Sequence, residues 1–218
     1  MLKEIVMALN FYAIFVILLP ILLVPRSLKS DNACQKELSI FSLIILIFNA
    51  ALAYLAYVLN QNNLWLIHIY TMLELSFFTW VFRTVLGRNL TLLILIIFNG
   101  LALMGIFIFG DLEKFNPWTS ALEALLIILY VLSYFYQTAR DIKVEDITRM
   151  PLFWLSTGAL IYFSSSLFLF IFSNYIFPEV KLSLIFWGIH AMLSILLYIF
   201  FFITLWVKPP IKSSSSFS

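Results

Sequence analysis

His68, Glu74, Glu123 and His190 are side chains that can exchange protons, and each interrupts a long apolar run. An ionisable group near the centre of a membrane helix costs at least about 2.5 kcal/mol on insertion scales, so it is a functional candidate and should face other helices rather than lipid. Counted at 1.5 Å per residue from the same end of the apolar runs, His68 sits about 6 Å deep, Glu123 about 8 Å, His190 about 12 Å and Glu74 about 15 Å. All four therefore belong to one half of a bundle or to its middle.

The chemistry open to such a set is proton-linked binding. An unpaired Glu74 removed from water is expected to keep its proton and donate a hydrogen bond, whereas a histidinium beside it would hold it charged, so either state responds to pH. Sharper chemistries fail on residue count. A tri-histidine zinc site needs more imidazoles than the 2 histidines present. A retinal protein needs a lysine midway along the last helix, where Lys181 and Lys208 only bracket the run. No GxSxG elbow supports a serine hydrolase, and the polar neighbours of His68 and His190 argue against a haem between them. No cofactor is expected.

Helical phase adds partners, because residues three, four or seven apart share a face. Tyr70 and Thr71 join His68 and Glu74 on a broad polar arc, and Trp187, Ser194 and Tyr198 join His190. Asn99 lies at mid-depth in its run, and Tyr162 precedes the serines Ser164 to Ser166. The expected site is a cavity lined by Glu74, His190, Glu123, His68, Tyr70, Asn99, Tyr162 and Ser194, fit for a small polar or amphipathic ligand or a proton. Interhelical hydrogen bonding alone accounts for most of the serines and tyrosines.

These residues must be carried by membrane helices. With 218 residues, 63% hydrophobic and 11% charged, and a mean hydropathy of +1.05, the chain lies far from soluble proteins, which average about 25% charged. Seven apolar runs are long enough to cross a bilayer: Ile5 to Val24, Leu38 to Leu59, Leu64 to Phe82, Leu90 to Phe109, Trp118 to Tyr136, Leu152 to Phe172 and Leu182 to Val207. None alternates as a strand does, so the fold expected is an all-α seven-helix bundle over residues 1–208, with a short disordered tail at 209–218. Pro20 should bend the first helix.

Basic residues set the orientation. Arg26, Lys29, Lys36, Arg83, Arg88, Arg140, Lys143, Arg149, Lys208 and Lys212 fall on one side of such a bundle, against Lys3, Lys114 and Lys181 on the other. The positive-inside rule then puts the N-terminus outside and the C-terminus in the cytoplasm, with the four ionisable residues in the outer half. The net charge of +2 is scattered over the connections, which argues against nucleic acid as a partner. Cys34, the single cysteine, excludes an internal disulfide.

The stretch His68-Ile69-Tyr70-Thr71-Met72-Leu73-Glu74, with Phe153-Trp154-Leu155-Ser156, Ile161-Tyr162-Phe163-Ser164 and Ser173-Asn174, resembles small seven-helix membrane proteins of Bacteroidetes-type bacteria. The resemblance implies a bacterial inner membrane and shared polar residues on the third, sixth and seventh helices; it implies no activity. Comparison with G-protein-coupled receptors stops at the helix count, since Arg83 has no DRY context and the last helix no NPxxY.

The functional expectation is a receptor- or sensor-like protein that signals through a cytoplasmic partner, with the Arg140 to Arg149 connection as its docking segment. A proton-coupled small-molecule transporter is the alternative, and an intramembrane lipid-modifying enzyme the second. The inner halves of the third and seventh helices, Phe77 to Phe82 and Ile199 to Val207, are almost wholly apolar or aromatic, which favours a cavity open on one side only.

Overall fold

The computed structural model describes residues 2–109, 116–140 and 146–209, and every regular element among them is helical. In chain order these are α1 (Leu2–Val16), α2 (Leu18–Ser27), α3 (Ala33–Ala53), α4 (Leu64–Val81), α5 (Arg83–Leu86), α6 (Arg88–Phe109), α7 (Pro117–Arg140), α8 (Pro151–Ile176) and α9 (Val180–Trp206). Six stretches are long and apolar enough to cross a membrane: Leu2–Ser27, Ala33–Ala56, Leu64–Val81, Pro117–Arg140, Pro151–Ile176 and Val180–Trp206. The apolar part of α6 described in full is the shorter Arg88–Met104. The tail beyond Pro209 and the segment 141–145 of the expected docking connection lie outside the described residues.

The breaks follow from local chemistry. Proline has no N–H, and its ring meets the carbonyl four residues back; accordingly α1 ends at Val16, four residues before Pro20, and α2 starts at Leu18. The bend expected near Pro20 is thus displaced to Ile17. Between α5 and α6, Gly87 has φ +81°, a left-handed conformation that a side chain would oppose, and its N–H donates to the Arg83 carbonyl at 2.9 Å. At the end of α3 the helix widens into a π-helical turn over Tyr54–Val58 and reverses through Asn60, also at positive φ.

The long helices close into a ring. α1 and α2 pack on α9, α9 on α8, α8 on α7, α7 on α4, α4 on α3, and α3 back on α2. α6 stands outside the ring, against α4 and the short α5, with Leu92, Leu93, Ile96, Ile97 and Leu101 exposed. Exposed Leu, Ile and Phe side chains cover the outside of the bundle, as lipid contact requires.

The two ends of the ring differ. At the Arg83 end an aromatic and aliphatic layer fills the centre: Phe41 stacks on Phe77 at 3.9 Å, and Phe78, Phe82, Phe201 and Leu38 are fully buried. Arg83 pairs with Glu37 at 2.7 Å and lies over the Trp80 ring, whose Nε1 donates to Glu37 at 3.1 Å, so α3 and the α4–α5 corner are tied at the rim. At the Asn63 end the ring is open in the middle.

Candidate functional site

The site starts from a pair of carboxyls. Glu74 on α4 and Glu123 on α7 are 4% and 3% exposed, each turned away from lipid by the phase of its helix. The Tyr70 hydroxyl, one turn before Glu74, donates to its Oε1 at 2.9 Å. Glu123 lies within electrostatic reach of Glu74. The Oε1 of Glu123 is buried with no hydrogen-bond partner among the described residues. A buried carboxyl oxygen without a donor is uncommon, because it forfeits hydration and regains nothing.

Facing the pair, α8 and α9 supply a second polar group. The Tyr162 hydroxyl and His190 Nε2 share a hydrogen bond at 3.1 Å, whose direction depends on which ring nitrogen carries the proton. The Ser194 hydroxyl donates to the His190 carbonyl at 2.9 Å, and Asn49 on α3 donates to the Tyr198 hydroxyl at 3.3 Å. His190 is further held among the rings of Phe170, Phe186 and Trp187.

Between these groups lies a cavity of about 320 Å³. Every helix of the ring except α2 contributes to it: Ala13 from α1, Asn49 from α3, Glu74 from α4, Glu123 from α7, Tyr162 from α8 and His190 from α9. Phe48, Phe163, Phe170 and Trp187 supply apolar wall. The lining runs from Ala56 and Asn63 at the open end down to Glu74, Phe163 and Tyr198, where the aromatic layer begins. No lysine or arginine is among the lining residues.

Of the residues singled out in the sequence, Glu74, Glu123, Tyr70, Tyr162, His190 and Ser194 line this cavity. His68 and Asn99 do not. His68 is six positions from Glu74, so on a helix it points well round from that face, and it is half-buried away from the cavity. Asn99 belongs to α6, outside the ring, where its amide donates to the Ser76 hydroxyl at 3.2 Å and to the Leu95 carbonyl at 2.7 Å, pinning α6 to α4. Ser120 is an additional lining residue; its place one turn before Glu123 is the signal that marks it.

No family of known proteins matches the chain, and neither a curated protein nor a solved structure resembles it.

Proposed function

We propose that the chain is a receptor- or sensor-like protein of a bacterial inner membrane. Its one-ended cavity binds a small amphipathic ligand whose head is cationic or donates hydrogen bonds. The observation that carries this reading is the Glu74 and Glu123 pair in a cavity with a largely apolar and aromatic wall and no lysine or arginine among its lining residues. A ligand ammonium or hydroxyl would satisfy the unpartnered Glu123 Oε1, and its apolar part would lie against Phe48, Phe170 and Trp187.

In this reading α6 is a seventh span: its 22 residues give about 33 Å of helix, sufficient for the hydrocarbon core. The basic residues of the connections then favour an outer N-terminus, a cytoplasmic C-terminus and a cavity that faces outward. Ligand or proton occupancy shifts the packing of α4, α7, α8 and α9, and a cytoplasmic partner reads the change at the Arg140 to Arg149 connection. The closed aromatic layer supports sensing over transport, because a carrier must hydrate both halves in turn.

Two acids within electrostatic reach of each other are also what a proton-coupled transporter uses, and this observation keeps that reading as the alternative. Reconstitution in proteoliposomes separates the two. The sensor reading expects no proton flux with any ligand that binds; ligand-dependent proton flux abolished by Glu74→Gln would replace it with transport.

A further inference from the structure

A second, smaller cavity of about 180 Å³ lies at the opposite end of the bundle, where α2 ends, α3 begins and α9 ends. Arg26, Lys29 and Lys208 converge on it, and no carboxylate is among its lining residues. The salt bridges of the described residues pair Arg83 with Glu37 and Arg149 with Asp146, leaving these three cations to other partners. Like charges gathered in one recess repel one another unless an anion joins them.

Ser27 also lines this cavity; it is 2% exposed, and its Oγ has no hydrogen-bond partner among the described residues. Elsewhere in the bundle Ser39, Ser42 and Thr91 return their hydroxyl protons to the carbonyl one turn back. Ser27 does not, so its donor is left for something in the recess.

The walls are fixed independently of any occupant. The Gln35 amide donates to the Thr204 carbonyl at 2.9 Å and the Val207 carbonyl at 2.8 Å, and Gln35 Oε1 accepts from Ser30 at 2.7 Å. Two carbonyls at and just beyond the end of α9, which would repel an anion, are thereby occupied. The Arg26 guanidinium rests 6.0 Å from the centre of the Trp206 ring.

We infer that this recess binds a phosphate group, held by Arg26, Lys29 and Lys208 with the Ser27 hydroxyl donating to it. The ends of membrane-length helices lie at headgroup depth, so the headgroup of an anionic phospholipid is the source that the position favours, and soluble phosphate is the other.

The test uses the full chain in uncharged detergent, with bound lipid counted by native mass spectrometry. Phosphatidylglycerol should be retained in preference to zwitterionic phosphatidylcholine, and the preference should fade as sodium chloride is raised. Combined Arg26→Gln, Lys29→Gln and Lys208→Gln should lower phosphatidylglycerol affinity roughly tenfold or more, the loss of charge-assisted contacts. Ser27→Ala should lower it by a smaller factor. Inorganic phosphate that binds saturably and displaces the lipid would keep the phosphate site and make the soluble anion its occupant. Equal retention of the two lipids by the unaltered chain, or phosphatidylglycerol affinity unchanged in the triple variant, would overturn the inference. The salt and competition arms need no variant, so misfolding of the triple variant cannot mask the result.

Discussion

Glu123 is the least satisfied group of the cavity, because its buried Oε1 has no hydrogen-bond partner among the described residues. Glu74, by contrast, has the Tyr70 hydroxyl at 2.9 Å. Glu74→Gln keeps an acceptor for Tyr70 and should leave the fold intact, since the amide oxygen takes the carboxyl oxygen's place. Tyr162→Phe removes the bond to His190 and should cost about 1 kcal/mol in unfolding free energy, measured in mild detergent; no loss would mean that the 3.1 Å contact contributes nothing net. These residues were legible in the sequence because a carboxyl or imidazole inside an apolar run must be explained by something other than packing. Asn99 shows where that logic ends: an amide facing one neighbouring helix and an amide facing a cavity leave the same trace in a sequence, and only the exclusion of α6 from the ring separates them.

The helices themselves follow from apolar run length, but their contacts do not. Gly158 on α8 sits so close to α9 that a Cβ there would overlap the Phe200 Cβ and come within 2.7 Å of its Cγ. Neither atom is the free end of a side chain, so Gly158→Ala must push α8 and α9 apart. The expected cost is about 1–3 kcal/mol, read as a lower unfolding midpoint, and because Tyr162 and His190 lie on the same helix pair the cavity should loosen with it. Nothing in the chain marks Gly158 among its other glycines, because close approach belongs to the neighbour. Before α8, the Asp146 carboxyl caps the turn Ile147–Arg149. The Thr148 hydroxyl at 2.6 Å, the Thr148 N–H and the Arg149 guanidinium hold the Asp146 carboxyl below its ordinary range. A depressed carboxyl stabilises the turn above its ordinary range and stops doing so as pH falls through the lowered value. Protection of the Thr148 amide from hydrogen exchange should accordingly drop on acidification in the native chain, and that step should vanish in Asp146→Asn.

Across the whole bundle the polarity of the two ends is the organising fact: an open end with a carboxyl-bearing cavity, and a closed end with an aromatic layer and clustered basic residues. In a Cys34→Ser background, a cysteine at exposed Asn62 should react with an impermeant thiol reagent in intact cells, and one at exposed Asp31 should react only after lysis. The reverse pattern would turn the cavity towards the cytoplasm. Charge counting supplies this orientation as an expectation, but it cannot supply the ring: which helices close on one another depends on pairwise surface fit, and similar apolar faces allow many orders.

The chemistry assigned to the cavity can be read from ligand-induced thermal stabilisation of the purified chain. A short aryl-alkyl primary amine, its N-acetyl derivative and the matching carboxylic acid differ only at the head. The amine should raise the unfolding midpoint of the native chain more than either analogue. Its affinity should fall roughly tenfold when Glu74→Gln and Glu123→Gln are combined, while the ligand-free midpoint is retained. A carboxylic acid that stabilises the chain as well as the amine, or an amine shift that survives in the double variant, would contradict the assignment.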